Sequence, residues 1–296
     1  MSSHRRAVLQ AVFVTVLWST SWVLIKVGLE EIPAMTFAGL RYGLAFLILA
    51  PLLARSSLRT RVKALSRRQR WQLVALGLIM YTATQGAQFL ALDLLPAQTT
   101  SLVLSFSPIL VAFLSAVFLA ERPLPAQFLG VGVFVIGAGT YLYPAALPAS
   151  QVLGLAVALV GLVANAGAAV LGRSVNRSAG LPAAVVTIVS MGVGALGLLG
   201  VGLSTQGLPE LSSRSWLIVV WLAAVNTALA FTLWNASLQR LTALESSLIN
   251  NTMLIQIAVL AWVFLGEELD ARQVAGIVVA ASGVLVVQLT RRPSRR

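Results

Sequence analysis

Residues 95–137, "LPAQTTSLVLSFSPILVAFLSAVFLAERPLPAQFLGVGVFVIG", align without a gap with residues 241–283, "LTALESSLINNTMLIQIAVLAWVFLGEELDARQVAGIVVAASG". Shifted by 146 residues, Ser101 lies over Ser247, Leu102 over Leu248, Glu121 over Glu267 and Gln127 over Gln273. Gly130 lies over Gly276 and Gly137 over Gly283, and both segments carry the triplet Val-Phe-Leu. Upstream, with the offset slipped by a residue, "YTA" of 81–83 meets "NTA" of 226–228 and "VLIK" meets "VLGR" of 170–173. Apolar helices share leucine and valine by chance; shared polar and glycine positions in register indicate a duplication. The copies are residues 1–145 and 146–296.

Each copy is too apolar for a water-soluble core. Of the 296 residues, 58% are hydrophobic and 10% charged, against about a quarter charged in soluble domains. Windows such as "AVLQAVFVTVLWSTSWVL" and "VAGIVVAASGVLVVQL" have the length and composition of membrane-crossing helices. The expected fold is an all-α integral membrane protein of ten spans: 7–29, 34–54, 71–92, 97–120, 124–143, 151–173, 180–203, 214–237, 242–265 and 271–290. The N-terminal apolar run is too long for a signal-peptide core and lacks a clear cleavage site. Five spans per copy is an odd number, so the second copy enters the bilayer inverted. Inverted repeats are a signature of secondary transporters, with the substrate held near mid-membrane where the halves meet.

Charge fixes the expected orientation. With the N-terminus cytoplasmic, all 21 Lys and Arg except Lys26, Arg41, Arg214 and Arg272 fall on cytoplasmic segments. The opposite gaps, "EEIP", "DLLPAQ", "PELSSR" and "GEELDAR", are mostly acidic. That bias puts both termini in the cytoplasm. The net charge of +12 is scattered through short gaps, so the basic run 55–70 reads as a topology determinant beside anionic lipid and not as a nucleic-acid site. The chain has no cysteine, and its one histidine, His4, lies in the N-terminal tail. No metal or cofactor is expected. There is no P-loop, so no ATP is expected; "GVGALG", 192–197, has no strand before it and sits inside a span.

The stretch "WSTSWVLIKVGLEEIPAMTFAGLRYGLAFLIL", 18–49, resembles the opening of EamA-type members of the drug/metabolite transporter superfamily in its Trp18, Lys26, Pro33 and Arg41. The segments "SLVLSFSPILVAFLSAVFLAERP" and "SSLINNTMLIQIAVLAWVFLGEEL" resemble that family's paired segments ending in an apolar triplet and Glu. The resemblance runs over the whole chain and is closest to the YddG-type amino-acid exporters. It implies a transporter, not an enzyme, that exports small metabolites across the bacterial inner membrane, with aromatic or large apolar amino acids as cargo. Nucleobases, drugs or sugar derivatives are the alternative cargo; a membrane-embedded lipid or prenyl enzyme is the alternative class. The expected partners are the amino acid and the bilayer, with the chain a monomer or weak homo-oligomer.

Polar side chains at depth must face protein or a wet cavity. Helical spacing gives a stripe of Thr15, Trp18, Ser19, Trp22 and Lys26 in span 1, and Tyr81, Gln85 and Gln88 in span 3. Asn165 opposes Trp18 in the repeat. Span 8 offers Asn226, Thr227 and Trp234, and span 9 Asn250 and Asn251. These are the expected cavity lining, with amides on the polar end of the substrate and tryptophans on its side chain; interhelical hydrogen bonding is the alternative use of the same residue types. Pro108 is a candidate hinge in span 4. Lys26 falls about 12 Å from the centre of span 1 and Arg41 about 4–5 Å from that of span 2, at 1.5 Å per residue. Lys26 therefore reads as a rim anchor or gate with Glu30 one turn beyond, and Arg41 as the deeper charge.

Overall fold

A computed structural model describes residues 3–107, 109–111, 113–114, 124–143, 149–178, 181–238, 249–250 and 252–289. The described residues form helices and their connections: α1 Ser3–Gly28, α2 Ala34–Leu49, α3 Ser56–Lys63, α4 Arg67–Gly77, α5 Gly86–Leu94 and α6 Ala97–Leu104. They continue with α7 Pro125–Leu142, α8 Ala149–Ser178, α9 Ala183–Thr205, α10 Ser213–Ala223, α11 Ala230–Leu238, α12 Met253–Leu265 and α13 Ala271–Leu289. Between α4 and α5 the chain winds as a π-helix, π1, Leu78–Gln85; between α10 and α11 it does so again, π2, Ala224–Leu229. Leu78 and Ala224 are 146 residues apart, the offset at which the two copies align.

Among the described residues seven helical stretches are long and apolar enough to cross a membrane, and three shorter apolar helices begin at Ala97, Met253 and Ala271. Leu9, Phe13, Leu47, Phe128, Leu153, Leu196 and Leu217 stand exposed on their outer faces, as do Trp71, Trp216 and Trp262. A water-soluble surface would not carry such a belt. The basic stretch 55–70, which lies between the expected spans, contains a helix. α3 carries Arg59, Arg61 and Lys63 on an exposed turn, where basic side chains near its C-terminus favour the helix dipole.

Local chemistry sets the ends. Pro33, Pro96 and Pro182 precede α2, α6 and α9, because proline begins a helix without a hydrogen-bond donor to lose. Ser66 and Gln69 form a reciprocal capping box on α4, at 3.2 and 2.9 Å. Asp270 and Gln273 do the same on α13, at 2.6 and 3.0 Å. Gly266 ends α12 in the left-handed conformation at φ 65°, which a residue with a Cβ resists.

α2 packs along α9, α5 along α8, α7 along α13, and α1 touches both α11 and α12. The main core gathers Trp22, Ile25, Phe37, Tyr42, Phe89, Leu198 and Leu222. Phe37 meets Phe89 edge to face at 5.2 Å. The glycines of "GVGALG" serve this packing: a Cβ on Gly194 would meet Tyr81 Cβ at 2.3 Å, and one on Gly197 would meet Thr82 Oγ1 at 2.4 Å. α9 thus lies directly against π1, and Thr82 donates to the Gly194 carbonyl at 3.0 Å.

Candidate functional site

The two π-helical turns are joined by one dipeptide of α2. Arg41 donates from Nε to Thr227 Oγ1 of π2 at 3.0 Å. Tyr42, the next residue, donates from its hydroxyl to Gln85 Oε1 of π1 at 2.6 Å. Arg41 and Thr227 are buried, and the Arg41 guanidinium carbon stands 5.3 Å from the Tyr42 ring centre and 6.0 Å from that of Phe89. Tyr81 of π1 packs edge to face on Tyr42 at 5.4 Å. A π-turn holds one residue more than an α-turn and leaves local donors and acceptors unpaired by the regular ladder. Thr84 and Thr227 answer this by donating to carbonyls five residues back, Ile79 and Leu222, at 2.8 Å each.

Asn226 extends the network to α1. Its amide nitrogen donates to the Leu17 carbonyl and, at 3.1 Å, to Thr20 Oγ1. The residue is fully buried, and its Oδ1 is the one buried side-chain polar atom without a partner among the described residues. On the same turn of α1, the Trp18 ring stands 5.1 Å from Trp234 and 5.4 Å from Phe231. Trp234 also packs on Ala7 and Ala11.

Of the residues singled out in the sequence, Arg41, Tyr81, Gln85 and Asn226 thus meet around α2 and the π-turns, and Trp18 and Trp234 form an aromatic trio with Phe231. Trp22 lies in the main core. Gln88 is half-buried on α5 where that helix passes Gly161 of α8. Asn165 stands apart, donating to Ser107 Oγ at 2.9 Å. Asn250 is exposed, and Pro108 and Asn251 lie outside the described residues. Lys26 does not reach for Glu30. Its ammonium donates to the carbonyls of Leu92 and Leu95, the latter at 2.8 Å, while Glu30 faces Arg214 at 4.0 Å.

Sequence reasoning passed over Gln256. It accepts from Ser19 Oγ at 2.9 Å and donates to Thr15 Oγ1 at 3.3 Å, tying α12 to the polar stripe of α1. Its repeat counterpart is Leu110, so the duplication conceals it; its lone amide in "MLIQIAVLAWVFL" is the signal that marks it. A recess of about 370 Å³ lies at the Lys26 end, lined by Gln98, Thr99, Tyr141, Glu267 and Arg272.

The model of the EamA-like transporter family matches residues 5–143 and again 152–289. The chain belongs to the EamA-like transporter family. It is a multi-pass membrane protein of a transporter family. A "Probable amino-acid metabolite efflux pump" of Salmonella typhimurium is 26% identical over 287 residues, 93% of this chain and 92% of that protein. The protein of the same description from Escherichia coli is 24% identical over 93% of this chain and 92% of its own length. Protein PecM of Dickeya dadantii is 26% identical over 76% of each. A solved crystal structure matches with a TM-score of 0.68 at 21% identity, over 96% of this chain and 98% of that one. At that identity the match speaks to the fold alone.

Proposed function

We propose that this protein exports amino acids, aromatic or large apolar ones, across the bacterial inner membrane by alternating access. The chain crosses ten times, as inverted halves 1–145 and 146–296, with both termini cytoplasmic and the Lys26 end facing the periplasm. The amino-acid reading draws support from the descriptions carried by the Salmonella and Escherichia relatives. The two halves draw support from the double family match and from π-turns at equivalent positions.

The observation that carries the reading is the aromatic trio of Trp18, Phe231 and Trp234 beside the unpaired amide oxygen of Asn226. Ring faces take an aromatic or large apolar side chain, and convergent polar groups take its polar end. Few carboxylates lie at depth in the sequence, so facilitated efflux is the expected mode and proton coupling is not required. The test is flux of each labelled amino acid by purified protein in liposomes, with and without a proton gradient. Flux of aromatic amino acids independent of the gradient is the expected result. No flux for any of the twenty sinks the reading.

A further inference from the structure

Two buried groups on neighbouring elements each lack a complement. Arg41 is 4% exposed, and among the described residues its guanidinium has no carboxylate within ion-pair distance; the ion pairs described are Arg214–Glu30 and Arg272–Asp270. Removing a guanidinium from water without a counter-charge is costly, and one neutral hydroxyl with two aromatic rings compensates only partly. Had the position served only to tie α2 to π2, a neutral glutamine could donate to Thr227 without that cost. The second group is Asn226 Oδ1, next to Thr227 along π2: it is an acceptor with no donor. Its amide nitrogen is engaged by the Leu17 carbonyl and Thr20, which fixes which atom is left over.

A cation without an anion and an acceptor without a donor, borne on π2 and the helix bound to it, match the two poles of a zwitterion. We propose that Arg41 binds the carboxylate of the transported substrate and Asn226 Oδ1 accepts from its ammonium, a subsite that opens when the halves separate. The adjacent Asn226 and Thr227 of π2 serve different neighbours, α1 and α2. Phe231 and Trp234 of the aromatic trio follow Asn226 one to two turns on, and Trp18 is next to Leu17, whose carbonyl the Asn226 amide holds. The inference rests on the amino-acid reading above and assigns its polar contacts.

The test is counterflow of labelled phenylalanine in liposomes, competed with phenylalanine amide, which lacks the carboxylate, and 3-phenylpropionate, which lacks the ammonium. Wild-type protein is expected to need about thirtyfold or more of either analogue than of phenylalanine for half-inhibition, because each leaves a buried polar group unpaired. Arg41→Gln is expected to lose discrimination between acid and amide, and Arg41→Lys to keep part of it. Asn226→Ala is expected to lose discrimination against 3-phenylpropionate while keeping that against the amide. Amide competing as well as phenylalanine against wild-type protein overturns the inference, whatever the variants do. So does folded Arg41→Gln, eluting as a sharp peak in size exclusion, that keeps wild-type flux and selectivity. Absence of amino-acid flux in wild-type protein is a different failure, that of the exporter reading itself.

Discussion

Lys26 and Glu267 hold the same turn from opposite ends. Lys26 places its ammonium on the carbonyls that end α5, those of Leu92 and Leu95. Glu267 accepts from the amides that begin α6, Ala97 at 2.7 Å and Gln98 at 3.2 Å, while the Gln98 side chain donates back to the Glu267 carbonyl at 2.8 Å. A cation at a helix C-terminus and an anion at an N-terminus each meet the favourable pole of the helix dipole. The turn belongs to one half of the chain, as does Lys26, and Glu267 belongs to the other. The contact therefore ties the stretch of the second family match to that of the first at this end.

Breaking that contact should open the end. Charge-assisted hydrogen bonds of this kind contribute about 1.5–3 kcal/mol, enough to move an open–closed equilibrium by about tenfold or more. Thr100 is fully buried just inside the turn, and the chain has no native cysteine. A Thr100→Cys probe should label slowly with a membrane-impermeant maleimide in the parent, several-fold faster with Glu267→Gln added, and by a smaller factor with Lys26→Met, which loosens only the turn that Glu267 grips. Equal labelling in all three would remove the latch.

Glu31 should give a small acid-sensitive contribution to stability. Its carboxylate accepts from Ser212 and Ser215 hydroxyls, each at 2.6 Å. Those hydrogen bonds hold its pKa below the ordinary 4.5. A carboxyl whose folded pKa is depressed stabilises above its unfolded pKa and loses that contribution as pH falls through the folded value. Thermal unfolding in detergent should therefore show a drop below about pH 4.5 that is smaller in Glu31→Gln, with the two proteins converging in acid. Parallel curves throughout would remove Glu31 as the cause.

Much of the helical order was readable because hydropathy and proline reveal where a chain crosses and begins. Pro33, Pro96 and Pro182 stand where the helices start. The π-turns were not readable: when nearly every position is apolar, a change of pitch over one or two turns leaves no periodic trace. The partners of Lys26 are backbone carbonyls, which no side-chain pattern encodes. The acidic residue one turn away therefore looked the better match, although Glu30 faces Arg214. In the candidate site, polar positions within spans 3 and 8 pointed to Gln85 and Asn226, and depth in span 2 pointed to Arg41, but nothing revealed their connection through Tyr42, whose hydroxyl is inconspicuous beside an arginine. Asn165 followed the repeat to Trp18 in register, yet its amide binds Ser107.

The α7–α13 pair should tolerate no side chain at Gly137 or Gly283. A Cβ on Gly137 would meet Ala280 N at 2.3 Å, and one on Gly283 would meet Phe134 N at 2.4 Å. The obstacle is backbone, so the helices themselves must move apart. Gly137→Ala or Gly283→Ala should cost about 1–3 kcal/mol, the usual penalty of overpacking, read as a lower melting temperature in detergent. Gly139→Ala meets nothing within 4 Å and serves as the neutral control.

The Tyr42–Gln85 hydrogen bond should matter to flux through geometry. Tyr42→Phe keeps the ring against Tyr81 and removes only the donor to Gln85 at 2.6 Å. Loss of one such bond should cost about 1 kcal/mol in stability, yet flux should fall by more than that, because π1 loses its tie to the Arg41 segment. Gln85→Ala should abolish flux with folding intact. Wild-type flux in Gln85→Ala would take Gln85 out of the site.

Trp18 is the sharpest test of substrate class, because it sits at the centre of α1 with Phe231 and Trp234 around it. Trp18→Phe keeps an aromatic face and should preserve selectivity with a modest loss of rate. Trp18→Ala removes one face of the trio and about 0.5–1.5 kcal/mol of aromatic contact beyond area burial. Aromatic substrates should then lose about two- to tenfold in kcat/KM relative to leucine and methionine. Measured as competition between labelled phenylalanine and unlabelled leucine in liposomes, an unchanged ratio in Trp18→Ala would place the substrate side chain elsewhere, and the aromatic trio would be helix packing alone.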